Sequence, residues 1–356
     1  ETFRIAYSDK KDKLFEKIRK IPLDWIHGYS LTKNKITYYP LNWTNMYQSS
    51  NGLASGNCKE EAISQALCEL IERQNMSFFI EQFENLNLNL IDIENIDNTI
   101  IKNLNNSLKK NNYEIFLFDA TLDIEVPTIV ACGIDYNLNK EDFGYIGYGY
   151  GTHPDPYKAI IRAITEYIQL SQMTKYNNSA YFKDIQPKYN WQFTLTVNVE
   201  EKIKNSSKIK PDSLPNLSSS DFKDELKNIV DVLRKGNHEV IVINKTHPKI
   251  NIPVYRVFVP TFFPGTSFAS SNENDDMIML EILAQAGLHE KAQEYYEQNF
   301  KRILFDNSQD FLELLFNVFP DMTLDMLKKF LSPHNYPYTN FIKDCYIKQL
   351  HKNLSQ

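Results

Sequence analysis

Residues 49–73 read SSNGLASGNCKEEAISQALCELIER, in which a turn of small and polar residues runs into a helix. Asn57 is predicted to cap this helix, with Glu60 at the third helical position reaching back to the cap. The helix is expected to end at about Asn75. Apolar residues recur along it at spacings of three and four, which indicates a stripe buried against a core: Ala62, Ile63, Ala66, Leu67, Leu70 and Ile71.

A polar edge of the same helix carries Glu61, Gln65, Glu69 and Glu72. Like charges at such spacing repel one another and weaken an isolated helix. For a helix taken at random, a solvated acidic face is the usual interpretation. Here the acidic row follows a loop of Ser, Asn and Gly whose backbone amides can approach a ligand. This combination favours a metal–phosphate site over a plain surface.

A second helix repeats the pattern. Residues 159–169 (AIIRAITEYIQ) align with residues 62–72 (AISQALCELIE) at a constant offset of 97 residues. Glu166 takes the place of Glu69, Gln169 takes that of Glu72, and Arg162 shares their face. The approach, GYGYGTHPDP, is again rich in glycine and opens the helix with a proline, which a first turn tolerates.

A helix–strand–strand unit also occurs twice. Its members are residues 99–110, 113–119 and 126–132, and then residues 222–235, 238–244 and 252–260. The predicted fold is α/β, a pseudo-symmetric duplicated βα body with mixed sheets and flanking helices over residues 1–275. Residues 276–356 are predicted to form a C-terminal helical cap. Coincidence between two common patterns is the rival explanation of the repeat.

Composition bounds the class of protein. The chain is 42% hydrophobic and 24% charged, as in soluble globular proteins. A net charge of −6 gives no electrostatic reason to expect nucleic acid, and no apolar run approaches the length of a membrane span. Four scattered cysteines favour reduced thiols in a cytoplasmic protein. Walker A, kinase-type glycine-rich and HExxH motifs are absent from the sequence.

The loop and helix of residues 50–73 resemble the YcaO family. Further matches at residues 25–31, 159–169 and 253–260 extend the resemblance over most of residues 20–265. It implies ATP- and Mg²⁺-dependent activation of a peptide backbone amide. A nucleophile adds to the amide carbon, ATP phosphorylates the amide oxygen, and phosphate leaves. A Cys, Ser or Thr nucleophile gives an azoline, whereas sulfide gives a thioamide, as in the modification of ribosomally made peptides.

The resemblance also implies roles for eight residues. Two carboxylates would be Mg²⁺ ligands, Glu69 and Glu72. Six further side chains would contact ATP or its metals, three from each segment: Asn57, Glu61 and Arg73, and then Arg162, Glu166 and Gln169. The catalytic residue itself is not identified.

The chain departs from the family pattern at both ends. Members usually have an earlier helix with a Ser/Glu/Glu/Arg motif and a lysine near the N-terminus, so either this chain is a fragment or another polypeptide supplies that half. Azoline-forming members often end in a proline-rich tail, which is not seen here. This favours thioamide formation or another role that is not azoline formation. The first hypothesis is an enzyme that forms thioamides with a TfuA-like partner.

Two alternatives stay open beside thioamide formation. One is an azoline-forming cyclodehydratase with a peptide-binding, E1-like partner, and the other is a nucleotide-binding accessory protein without catalysis. Thioamide-forming relatives act on precursor peptides or on methyl-coenzyme M reductase. The sequence favours neither of these substrates over the other.

Overall fold

The computed structural model describes residues 25–40, 50–83, 87–140, 142, 144–177 and 199–262, and positions 283, 290–292 and 294. Most of them lie in one compact unit that contains His27–Tyr38 and Ser50–Gly265. The predicted C-terminal helical cap falls outside the described residues except for those last five positions, and the boundary at residue 275 stays a prediction.

Ten strands and five α-helices are described in these ranges. In chain order they are β1 (Trp25–Ser30), β2 (Lys35–Pro40), β3 (Leu53–Ser55), α1 (Lys59–Gln82), β4 (Asn89–Ile91), α2 (Thr99–Lys110), β5 (Tyr113–Asp119), β6 (Thr128–Asp135), β7 (Ile146–Thr152), α3 (Pro156–Asn177), α4 (Val199–Asn205), β8 (Ser207–Ile209), α5 (Phe222–Lys235), β9 (Ile241–Asn244) and β10 (Val254–Phe258). Short 3₁₀ turns lie at Ile93–Asn95 and Pro211–Ser213. No helix in the described ranges has the length and apolar character that crossing a membrane requires.

The strands form two five-stranded sheets, so the fold is of the α/β class with antiparallel and mixed sheets. The first sheet has the order β2-β1-β9-β10-β3 and the second β7-β6-β5-β4-β8. Strands β4 and β8 pair in parallel, whereas β5, β6 and β7 pair antiparallel. Strands β3 and β7 each close one edge of a sheet, and each leads into a long helix, α1 and α3 respectively.

Helix α1 contributes to the cores of both sheets. Leu67 and Ile71, near its middle, pack against residues of α5, β9 and β10. Its second half packs Phe79 against Phe118 of the second sheet. Asn75, which lies between Ile71 and Phe79 along the helix, donates a 3.0 Å hydrogen bond to the Thr128 hydroxyl. Burying an aliphatic or aromatic side chain of this size contributes about 1.5–3 kcal/mol. The middle of α1 is therefore held beside both edge strands.

Helix α3 packs against the glycines of β7. A Cβ atom on Gly149 would lie 2.2 Å from the backbone nitrogen of Tyr167 and 2.3 Å from the carbonyl oxygen of Ala163. Tyr148 and Tyr150, which alternate with the glycines, belong to the core on the other face. Residues 147–152 are thus a strand and not merely a glycine-rich approach to a helix. The alternation of glycine and tyrosine is the two-residue period of a strand.

The start of α1 corrects the predicted cap. The helix begins at Lys59, so Cys58 is the cap, and its sulfur accepts a hydrogen bond from the Glu61 amide at 3.5 Å. The third helical position is consequently Glu61 and not Glu60. The Glu61 carboxylate accepts from both the backbone and the side-chain nitrogen of Asn57, at 2.7 and 3.0 Å.

Candidate active site

A cavity of about 610 Å³ lies between the two edge strands and is flanked by α1 and α3. Strand β3 contributes three lining residues, β7 contributes one, and the polar edges of the two helices contribute the rest. These residues are Leu53, Ala54, Ser55, Gln65, Glu69, Glu72, Tyr150, Arg162, Thr165, Glu166 and Gln169. The two polar edges that the sequence places on separate helices therefore face one cavity.

Glu69 and Glu166 make similar bonds on the two sides of the cavity. The Glu69 carboxylate accepts a 2.8 Å hydrogen bond from the backbone N–H of Gly52, just before β3. The Glu166 carboxylate accepts a 2.5 Å bond from the N–H of Tyr150 in β7. Gly52 has a φ of +74°, and a Cβ there would lie 2.7 Å from the Val257 carbonyl oxygen, so only glycine fits. A backbone N–H next to β3 thus orients the Glu69 carboxylate, and a backbone N–H in β7 orients the Glu166 carboxylate.

Glu72 reaches from α1 to the opposite sheet. Its carboxylate accepts a 3.0 Å hydrogen bond from the N–H of Thr152 at the end of β7. The Thr152 carbonyl accepts a 2.9 Å bond from the guanidinium of Arg162, and the same guanidinium donates to the side-chain oxygen of Gln65 at 2.6 Å. An unbroken path of hydrogen bonds thus joins α1, β7 and α3.

Burial disfavours the charged forms of two carboxylates of the cavity, Glu72 and Glu166. Desolvation, followed by the nearby Glu166, raises the pKa of Glu72 to about 7, while Arg73, Arg162 and the Thr152 N–H oppose this rise. Desolvation likewise raises the pKa of Glu166, against the Tyr150 N–H and the same two arginines. A divalent cation beside these groups would favour their charged forms. The donor set therefore fits a cation.

The raised pKa of Glu72 predicts an unusual dependence of stability on pH. The folded protein holds the Glu72 proton more tightly than the unfolded chain, so the contribution of Glu72 to the free energy of unfolding falls as pH rises from about 4.5 to 7. The Glu72→Gln variant should lose this slope and be more stable at pH 8 by on the order of 2 kcal/mol. Urea unfolding without nucleotide at several pH values measures it. Glu60→Gln, on the same helix, is the control, and an unchanged slope in Glu72→Gln would contradict the assignment.

The structure brings five of the eight predicted site residues to the cavity: Glu69, Glu72, Arg162, Glu166 and Gln169. Arg73 does not line it. The Arg73 guanidinium donates to the Met76 sulfur at 3.9 Å, and its buried Nε has no hydrogen-bond partner among the described residues. It still acts electrostatically on Glu72 and Glu166. Asn57 and Glu61 bond to each other at the start of α1 and are likewise not lining residues.

Several lining residues were given no role by the sequence. Gln65 stands in the same row as Glu69 and Glu72, so its spacing is a usable signal. The three residues of β3 lie in the loop whose backbone amides were expected to approach a ligand, although none of their side chains was given a role. Thr165 carries no such signal, because a single threonine on a helix is not distinctive. Within the described ranges no three His, Cys, Asp or Glu side chains are grouped closely enough to hold a metal by themselves. Mg²⁺ in proteins is commonly bound by one or two carboxylates together with substrate phosphates and water.

Comparison with known proteins places the chain in a family. The sequence model for YcaO cyclodehydratases, described as ATP- and Mg²⁺-binding, matches residues 3–262. The chain belongs to the YcaO family. ATP and Mg²⁺ are the cofactors of this family. The cavity of this YcaO protein is lined by three carboxylates and by the side chain of Arg162.

The alignments with individual relatives cover only part of each relative's length. An uncharacterised protein of Methanothermobacter thermautotrophicus is 30% identical over 256 residues, 68% of this chain and 66% of the relative. An uncharacterised protein in the tfuA 3′ region of Rhizobium leguminosarum bv. trifolii is 25% identical over 264 residues, 69% of this chain and 62% of the relative. This YcaO chain thus spans slightly less than two thirds of the length of these two relatives.

A solved structure supports the fold. YcaO from Methanopyrus kandleri, bound with AMPPCP and Mg²⁺, has a TM-score of 0.52 and is 22% identical, covering 68% of this chain and 65% of that one. The α/β architecture described for this YcaO protein is thus that of a solved family member.

Proposed function

We propose that this YcaO protein activates a peptide backbone amide with ATP and Mg²⁺ and forms a thioamide with the help of a TfuA-like partner. Sulfide is the nucleophile: its sulfur bonds to the amide carbon, and the amide oxygen leaves with the phosphoryl group of ATP. One observation carries the proposal, namely the shared cavity to which α1 and α3 both turn carboxylates and amides.

The chain's own residues have distinct tasks in this proposal. Glu69 and Glu72 hold Mg²⁺ with carboxylate oxygens, and Glu166 faces them from α3. Arg162 binds a phosphate oxygen, since a guanidinium offers several N–H donors in a fixed plane. Bound ATP supplies the phosphoryl group, and Mg²⁺ offsets its charge. Hydrogen bonds from the backbone N–H groups of Gly52, Tyr150 and Thr152 hold the three carboxylates in place.

Four further residues complete the proposed site. Gln169 lines the cavity and orients the nucleotide without adding charge. Arg73 contributes positive potential from behind Glu72 and Glu166. Asn57 and Glu61 contact the nucleotide or its metals from the start of α1, after breaking their bond to one another.

The partner and the substrate are proposed on narrower support. A relative named for its position in the tfuA 3′ region supports a TfuA-like partner. The substrate is a precursor peptide or a protein such as methyl-coenzyme M reductase. The described cysteines Cys58, Cys68 and Cys132 are free thiols, in keeping with the reducing cytoplasm that we propose as the location.

We also propose that the two halves of the body are pseudo-symmetric. In the first sheet, α5 precedes β9 and β10 and the edge strand β3 leads into α1. In the second sheet, α2 precedes β5 and β6 and the edge strand β7 leads into α3. The matching bonds of Glu69 and Glu166 to backbone nitrogens support the same equivalence.

The test supplies a TfuA-like partner, sulfide, ATP and Mg²⁺ to the full chain with candidate precursor peptides. We expect a modified peptide in which one oxygen is replaced by sulfur, formed together with ADP and phosphate. Mass spectrometry and a phosphate assay measure the two products. Omission of sulfide, or of the partner, is the control and should abolish the mass gain.

Two other outcomes would replace the proposal. The family description names cyclodehydratases, which favours azoline formation as the second candidate. Loss of one water from the peptide, without need for sulfide, would establish that reaction instead. Nucleotide binding without turnover of ATP would instead assign an accessory role.

A further inference from the structure

Gln65 and Arg162 join the two helices of the cavity directly. The Gln65 side-chain oxygen accepts a 2.6 Å hydrogen bond from Nη2 of Arg162, although the residues are 97 positions apart in the chain. Both side chains line the cavity. They occupy equivalent positions in the two aligned helical segments, because the same offset relates Glu69 to Glu166.

A second acceptor fixes the other side of the guanidinium. Nη1 of Arg162 donates to the carbonyl of Thr152 at 2.9 Å, and the N–H of Thr152 donates to Glu72 at 3.0 Å. Gln65 and Glu72 lie two turns apart on α1, so these bonds close a ring through Arg162 and Thr152. With one acceptor on each terminal nitrogen, the plane of the guanidinium is set.

The chemistry of an amide suits this task. Three carboxylates line the same cavity, and each of them attracts the Arg162 cation. An amide oxygen accepts a hydrogen bond without neutralising the guanidinium, whereas a carboxylate at position 65 would pair with its charge. A guanidinium has five N–H donors. The two bonds described above use two of them, so three donors are not used by these contacts.

We propose that Gln65 is a positioning residue that holds the guanidinium of Arg162 ready for a nucleotide phosphate. This rests on the proposed function, in which ATP supplies that phosphate. Gln65→Ala frees an arginine side chain that must then be ordered again on binding. The affinity for Mg²⁺ and AMPPCP is therefore expected to fall about 10-fold.

A double-mutant cycle tests the proposal with the full chain. Calorimetric titration of AMPPCP in the presence of Mg²⁺ compares the wild type with Q65A, R162A and the double variant. We expect Q65A to bind AMPPCP more weakly than the wild type. The double variant should bind no more weakly than R162A, because Gln65 acts through Arg162. Gln172→Ala, which removes an exposed glutamine of α3, is the matched control and should bind like the wild type.

A second variant tests the proposal if Q65A does not fold. Gln65→Glu retains an acceptor for Arg162, and it should weaken AMPPCP binding at least as much as alanine, because it neutralises the guanidinium. Thermal melts without nucleotide check folding in each case. Wild-type affinity in Q65A or Q65E would overturn the inference, as would losses that multiply fully in the double variant. Absence of binding by the wild type would instead overturn the proposed function.

Discussion

Replacing Glu69 by alanine is expected to abolish Mg²⁺-dependent nucleotide binding and to lower ATP turnover by about 100-fold or more. Loss of even an outer partner of a metal site costs about 10–100-fold, and Glu69 is proposed to be a direct ligand. Titration of AMPPCP with and without Mg²⁺ measures the first effect, and phosphate release in the reconstituted reaction measures the second.

The glutamine variant separates the two roles of Glu69. Glu69→Gln can still accept the hydrogen bond from the Gly52 N–H, but it lacks the charge that a cation requires. It should therefore be folded and nearly as impaired as alanine. Glu60→Ala is the control, because Glu60 lies on the same helix, outside the cavity, and pairs with Lys59. Nucleotide binding by Glu69→Gln at the wild-type level would show that Glu69 acts only through its hydrogen bond with Gly52 and not as a metal ligand.

Gly149→Ala is expected to lower the free energy of unfolding by about 3 kcal/mol or more. The added methyl group would lie 2.2 and 2.3 Å from two backbone atoms of α3, so the helix must move away from β7. Overpacking that neighbouring side chains can absorb costs about 1–3 kcal/mol, whereas backbone atoms cannot rotate aside. Urea unfolding monitored by circular dichroism measures the change.

Gly147 provides the matched control for this prediction. A Cβ there would meet only the ring of Tyr167, at 3.0 Å from Cε2, and a ring can shift by a few tenths of an ångström. Gly147→Ala should therefore cost about 1 kcal/mol. Equal losses in the two variants would show that close backbone packing of α3 is not what requires glycine in β7. Gly149→Ala should also weaken AMPPCP binding, because Arg162 and Glu166 move with α3.

The periodic elements could be predicted from the sequence. Helices α2 and α5 and strand β5 have the bounds that their apolar patterns predict. The polar row of α1 was also recognisable, since Glu69 and Glu72 interrupt neither the spacing nor the apolar stripe. Helix α1 runs past Asn75 to Gln82 because Phe79 finds a core in the second sheet. Such a contact between distant segments leaves no local signal.

Short strands were harder to predict. Strand β7 is built on glycines, which are poor strand formers, and it is stabilised by the helix that packs on them. Strand β8 lies in a stretch, residues 205–220, whose many Ser, Lys and Pro residues are typical of a surface loop, yet it pairs in parallel with β4. The hydrogen bonds that Thr152 makes with Glu72 and Arg162 depend on the packing of both α1 and α3 beside the edge strand β7. Sequence spacing within one helix cannot supply that information.

The shared use of α1 by both sheets has a consequence for how the protein loses its structure. Neither sheet can detach without exposing apolar residues of the same helix, so the two halves should melt in one cooperative transition. Amide hydrogens in the middle of α1 should then exchange with solvent only at the rate of global unfolding. Alignment of the acidic groups thereby persists for as long as the molecule remains folded.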